Sequence, residues 1–277
     1  MGLCASMQSN ESETEIIKEY DFEAGDPLSK NESKELYSYE PALCKIEFEA
    51  FKDGKIQKCS GTGFFCEINY RDIPFRKALF TNNHVLDENR IKINKRIEFE
   101  YCGEKKIIEI TKNRKVFTNE ELDYTCIEIL DTDKINKFFN IDKTVFENKN
   151  SLKYKEIVIL QYPHGKLAID KGKIIDINNN IIKHKIPTQA GLSGSPLIRR
   201  YNISVVVGIH HGVKQKEENE KLVKTKDKLN SKFECNLATP FDVIIKDIIN
   251  KLTLNKNQSV EYRIINLIYN YINKNKT

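Results

Sequence analysis

TQAGLSGSPL, residues 188–197, sets two glycines and two serines within five residues, then returns through a proline to apolar sequence. Glycine opens backbone conformations closed to other residues and lets a second chain segment approach closely. Ser193, between Gly191 and Gly194, can therefore stand with its hydroxyl exposed on a tight turn. A Ser/Gly cluster is also the ordinary signature of a surface loop, so other residues have to decide. A serine nucleophile needs a general base and a group that orients the base. Five histidines are available: His84, His164, His184, His210 and His211. His84 ends the strand-like run ALFTNN and is followed by Val85 and Leu86, which can anchor it while its ring projects into a cleft. Asp123 opens DYTCIEIL. In an extended strand it would share a face with Thr125, Ile127 and Ile129, and a carboxylate in that position needs a partner.

The rest of the chain is consistent with a folded β protein. Its 277 residues are 39% apolar, with 14 Phe and 12 Tyr, enough to bury a real core. No apolar run reaches the roughly 18 residues of a membrane span. No apolar segment follows the start as a signal peptide requires. The seven cysteines are odd in number and scattered, without metal-ligand spacing. Cys66 and Cys126 sit among apolar strand residues, as small core residues do. A reducing, cytoplasmic location without disulfides is expected, and neither a metal nor any other cofactor is implied. The net charge of +5 comes with mixed runs such as KQKEENEKLVKTKDK, which read as solvated loops. No nucleic-acid signature accompanies it, and no nucleic-acid partner is expected.

Residues 1–40 are acidic and poor in apolar side chains, and are expected to form a flexible lead. From Ala42 onward, short alternating runs follow one another between Gly, Asn, Asp and Lys: CKIEFEAF, GTGFFCEI, KALFTNN, KRIEFEYC, YTCIEIL, EIVILQY and ISVVVGIH. That texture predicts an all-β barrel or sandwich. PFDVIIKDIINKL, led by a Thr-Pro pair, and SVEYRIINLIYNYINK carry helical spacing. The division expected is a lead over 1–40, a β domain over 41–253 and a C-terminal helix over 254–277.

FTNNHV, LDYTCIEI and GLSGSP, in that order on an all-β chain, resemble the trypsin-like serine peptidases. The resemblance covers roughly residues 42–250. It implies two six-stranded antiparallel β-barrels with the active site in the cleft between them. Gly191 to Pro196 match the nucleophile motif, which makes Ser193 the nucleophile. His84, in a T-x-x-H pattern from Thr81, matches the base, and Asp123 the orienting acid. The N–H groups of Gly191 and Ser193 would form the oxyanion hole. TQAGLSGSP with VVVGIHHG looks most like the glutamyl endopeptidase (V8-like) subgroup, whose side-chain pocket falls on Thr188 and His210. LQYPHGKL resembles that subgroup's G-Y-P-x-G segment, with Gln161 in place of the first Gly. His211 should face away from His210. Pro187 stands where a basic-specific member carries Asp. Leu192 replaces the acid of the zymogen switch in digestive members, and Val85 replaces a disulfide cysteine.

The resemblance implies a serine endopeptidase with protein or peptide substrates and a preference for Glu. The competing reading is a catalytically silent scaffold that binds a protein. MGLCAS also fits the acylation pattern at Gly2, with Cys4 as a second lipid site. Two acyl chains would hold the protein on the cytoplasmic face of a membrane.

Overall fold

The computed structural model describes residues 27–52, 54–178, 180–186, 191–213 and 235–254. Seven strands come from the N-terminal half: β1 (Leu43–Lys52), β2 (Lys55–Glu67), β3 (Lys77–Thr81), β4 (Arg96–Tyr101), β5 (Glu104–Glu109), β6 (Val116–Asn119) and β7 (Tyr124–Glu128). The others are β8 (Phe139–Ile141), β9 (Glu156–Gln161), β10 (Ala168–Asn178), β11 (Ile181–Lys185), β12 (Pro196–Arg199), β13 (Asn202–Val213) and β14 (Asn236–Pro240). Helices are α1 (Lys30–Tyr37), the short α2 (Thr144–Glu147) and α3, residues 241–254.

Strand β4 shows how the sequence makes the first barrel. In RIEFEY, Ile97, Phe99 and Tyr101 are buried while Arg96, Glu98 and Glu100 face water, the period-2 pattern of a half-buried strand. These side chains join Cys44, Ile46, Phe65, Leu79, Ile108, Ile127 and Ile129 in one apolar core. The N-terminal strands run in hydrogen-bonded order β5-β4-β1-β2-β3-β7-β6. Among the described residues no ladder joins β5 to β6. In the C-terminal half, β12-β9-β10-β11-β14-β13 closes through a β12–β13 ladder into the expected six-stranded antiparallel barrel.

Strand β8 connects the halves. It pairs in parallel with the end of β2 (Cys66 opposite Phe139) and with β13 (Val206 opposite Ile141). Its Phe139 is fully buried, stacked on Tyr39 at 4.9 Å and edge-on to Phe64 at 6.3 Å. The outer face of β2 and β3 receives α3. Phe241, Ile244, Ile245 and Ile248 recur at helical spacing with 0–1% exposure, and Phe241 meets Phe64 and Phe80 edge-on. Cys66 and Cys126 lie in this core as read from the sequence, and the six described cysteines are free thiols.

Two boundaries differ from expectation. Part of the stretch expected to be a flexible lead, Lys30–Tyr37, forms α1. Ser29 and Glu32 form a reciprocal capping box, with Ser29 N–H donating to Glu32 Oε2 at 2.7 Å and Glu32 N–H to Ser29 Oγ at 3.2 Å. Leu36 is buried, and the buried Arg200 guanidinium donates to Glu32 at 3.0 Å and to Glu156 at 3.2 Å. The hydrogen bonds from the Arg200 guanidinium and from the Ser29 backbone N–H hold the Glu32 carboxyl down at about 2. At the other end, Thr239 and Pro240 remain in β14 and the helix starts at Phe241. The helix expected over 254–277 lies outside the described residues beyond Leu254.

Candidate active site

Strand β3 leads into His84, the candidate base. Leu79 points into the first barrel and Phe80 toward α3, so the strand is buried on both faces. It ends where polar side chains take over the hydrogen bonding. Asn82 Nδ2 donates to the Asp123 carbonyl at 2.8 Å and Asn83 Nδ2 to Thr118 Oγ1 at 2.7 Å. A turn closes as the N–H groups of Val85 and Leu86 donate to Asn82 O. With Val85 and Leu86 buried, His84 is held facing outward with 45% of its side chain exposed.

Asp123 reaches His84 from the turn before β7. Its N–H donates to Glu120 O at 3.2 Å and its φ is +46°. It is therefore not an extended strand residue sharing a face with Thr125, Ile127 and Ile129, although Ile127 and Ile129 do face the first core. The left-handed conformation, rare for a non-glycine residue, turns its carboxylate back across the strand ends. Asp123 Oδ2 lies 2.8 Å from His84 Nδ1, while Oδ1 accepts the His84 backbone N–H at 3.1 Å. A carboxylate accepts, so Nδ1 carries the proton and Nε2 presents a lone pair. Burial pushes the Asp123 carboxyl up, but the His84 hydrogen bond and charge, with a further contribution from His211, bring it below its ordinary value.

The loop of Ser193, the candidate nucleophile, is held by Thr62, a residue the sequence reading did not single out. Thr62 N–H donates to Ser193 O at 2.8 Å and Thr62 Oγ1 to Gly191 O at 2.9 Å. Thr81, at the end of the base strand, donates its hydroxyl to Thr62 O at 2.9 Å. Gly194 lies in this junction with φ +83°. A Cβ there would stand 2.2 Å from Thr62 O, 2.4 Å from Thr81 Oγ1 and 3.2 Å from Asn82 N. Gly191, at φ +107°, also runs close to its neighbour: a Cβ there would stand 2.8 Å from Tyr162 O. The glycines are thus explained by backbone shape and by close approach together. The loop is fastened through carbonyls, and the N–H groups of Gly191 and Ser193 donate to no described residue. Ser193 is half-buried and its Oγ forms no hydrogen bond to His84 in this structure. What links the two segments is the backbone junction at Thr62, Thr81 and Gly194.

Behind the Ser193 loop, His210 is fully buried on β13, and its N–H donates to Ser195 O at 2.9 Å. His210 Nδ1 lies 3.1 Å from Nε2 of the equally buried His184 on β11. His210 Nε2, His184 Nδ1 and Ser195 Oγ have no partner among the described residues. Burial pushes His184 down to about 3 and His210 well below its ordinary value, so both rings are neutral at pH 7. His211 turns the other way, as expected from strand alternation, toward Thr239. His164 falls in a one-turn segment, Pro163–Gly165. Thr188, Gly2 and Cys4 lie outside the described residues. Among the described residues no His/Cys/Asp/Glu cluster could hold a metal, and no helix is long and apolar enough to cross a membrane.

A family model described as "Trypsin-like peptidase domain" matches residues 61–209, more than half of the chain, including His84, Asp123 and Ser193. The structure is similar to the crystal structure of the Rv3671c protease from M. tuberculosis in its active form. The TM-score is 0.51 at 15% identity, with 85% of this chain and 89% of that one covered. No curated protein matches the sequence.

Proposed function

This chain belongs to the trypsin-like peptidase family, and we propose that it is a serine endopeptidase in which Ser193, His84 and Asp123 act as the triad. The observation that carries this reading is the bidentate Asp123–His84 contact, which leaves Nε2 as an acceptor beside the loop of Ser193. In this mechanism His84 Nε2 takes the Ser193 proton as Oγ attacks the scissile carbonyl. The proton then passes to the leaving amine, and water repeats the sequence on the acyl-enzyme. Asp123 holds the tautomer and stabilises the imidazolium without itself becoming protonated. The N–H groups of Gly191 and Ser193 receive the oxyanion, each worth about 3 kcal/mol in the transition state.

A glutamyl preference is the finer part of the proposal. A buried, unpartnered His210 Nε2 supports it, since a substrate carboxylate can accept its proton while His184 satisfies Nδ1 from behind. Thr188, from the adjoining stretch, supplies a hydroxyl donor in this reading. Acylation at Gly2 and Cys4, and attachment to the cytoplasmic face of a membrane, complete it. An unmodified Gly2 in the N-terminal peptide from a eukaryotic host, read by mass spectrometry, ends that last element.

The test uses fluorogenic peptides differing only at P1 (Glu, Asp, Arg, Leu, Ala) on wild type and Ser193→Ala. Cleavage after Glu that vanishes in the variant is expected. Serine-dependent cleavage after another residue removes the pocket assignment and keeps the mechanism. Binding without cleavage by wild type returns the protein to the silent-scaffold reading.

A further inference from the structure

His211 takes no part in the chemistry above, yet it is linked to the acid of the triad through a second side chain. On β13 it follows His210 and faces the opposite way. Its Nε2 is hydrogen-bonded to Thr239 Oγ1 on β14, and Thr239 Oγ1 lies 2.7 Å from the carbonyl of Leu122. A carbonyl can only accept, so the single hydroxyl proton of Thr239 goes to Leu122 O. His211 must then donate from Nε2 to the same hydroxyl, which fixes its tautomer.

Leu122 O and Asp123 N belong to one peptide plane. Thr239 holds its oxygen, and Glu120 O accepts its N–H at 3.2 Å. Asn82 holds the next carbonyl, that of Asp123. With both flanking peptides pinned, Asp123 is kept at φ +46°, a conformation that persists only where its surroundings over-determine it. Two of these restraints come from the first barrel. The third comes from the second barrel, through β13 and β14.

We propose that His211 and Thr239 are positioning residues, a hydrogen-bonded chain from the second barrel that locks the Leu122–Asp123 peptide and so aims the Asp123 carboxylate at His84. The proposal rests on the triad reading above. His211 is suited to the task as a neutral ring. Burial pushes its pKa down, Asp123 draws it back up, and His84 opposes protonation. A cationic ring there would compete with His84 for the carboxylate.

The experiment uses the full chain with four substitutions: Thr239→Val and His211→Leu, which break the chain, and Thr239→Ser and His211→Gln, which keep its donors. Two readouts are taken, kcat and KM on the best peptide, and the NMR resonance of the His84 Nδ1 proton. Breaking the chain is expected to lower kcat by about 10-fold at constant KM, since small misplacements of a catalytic group are costly. It should also weaken the Nδ1 proton signal, while the conservative pair restores both rate and signal. An unmoved His84 resonance in Thr239→Val overturns the proposal. So does an equal loss in all four variants that follows their melting temperatures. The NMR readout needs no turnover, so a wild type without serine-dependent cleavage refutes the triad reading and still leaves the tether decided.

Discussion

Acidification from pH 7 to 5 should weaken the fold through the buried imidazole pair, by an amount that follows from its burial. His184 and His210 have 0% exposure and ring nitrogens 3.1 Å apart, so a proton on either is neither hydrated nor paired with a carboxylate. In the unfolded chain each titrates near its ordinary value of about 6.5. Below that pH the unfolded state binds protons that the folded state refuses, so stability falls with falling pH. The loss is about 1.4 kcal/mol per pH unit for each such histidine. Since His184 stays neutral down to about 3, it alone costs about 2 kcal/mol at pH 5, and the pair about twice that. The depressed carboxylates act below this window. Asp123 and Glu32, both depressed in the fold, keep their stabilisation above their unfolded values near 4 and lose it only at lower pH. The assay is denaturant unfolding at several pH values between about 7.5 and 5, on Ser193→Ala to prevent self-cleavage, with and without His184→Asn. The second substitution should flatten the dependence by at least one histidine's slope. Equal slopes in the two proteins would mean that the pair is hydrated or already protonated, and the argument fails.

Asp123→Asn should leave melting nearly unchanged and lower kcat by about 10⁴-fold, because the amide favours the wrong His84 tautomer; steady-state rates on the best peptide check this. Gly194→Ala places a methyl group against Thr62 O and Thr81 Oγ1 at positive φ, and should remove burst-phase acylation while the far-ultraviolet spectrum of the β fold persists. Arg200→Gln releases Glu32 and Glu156 and should expose the Lys30–Tyr37 helix to limited proteolysis well before the barrels are cut; equal resistance in wild type and variant counts against the clasp.

Much of the candidate site was legible because the chemistry proposed for it demands unusual residues in a fixed order. A serine framed by glycines, a histidine at a strand end and an acid before an apolar run leave few other readings once seen together. What supports them was not legible. Thr62 lies 129 residues from Gly191, and Thr239 lies 117 from Leu122, and a threonine in a strand looks the same whether it braces a loop or merely suits the sheet. The turn of Asp123 was missed because Asp before a β-branched run reads as extended, and only tertiary restraints force the left-handed form. Helix α1 had its capping box in the sequence at Ser29 and Glu32. Composition pointed to disorder there, because the stabilising Arg200 is 168 residues away. The three residues of β8 are too few to show any periodicity.

That short strand has a mechanical consequence. Because β8 is hydrogen-bonded on one side to β2 and on the other to β13, the half that carries His84 and the half that carries Ser193 are sewn into one continuous sheet at the seam. Widening the gap between them means breaking main-chain hydrogen bonds around a fully buried Phe139, rather than swinging a hinge. The jaw width is therefore set at folding and not at binding. Tight inhibitors should gain their affinity by fitting a slot of constant gauge, and association rates should track loop order rather than any opening of the two halves.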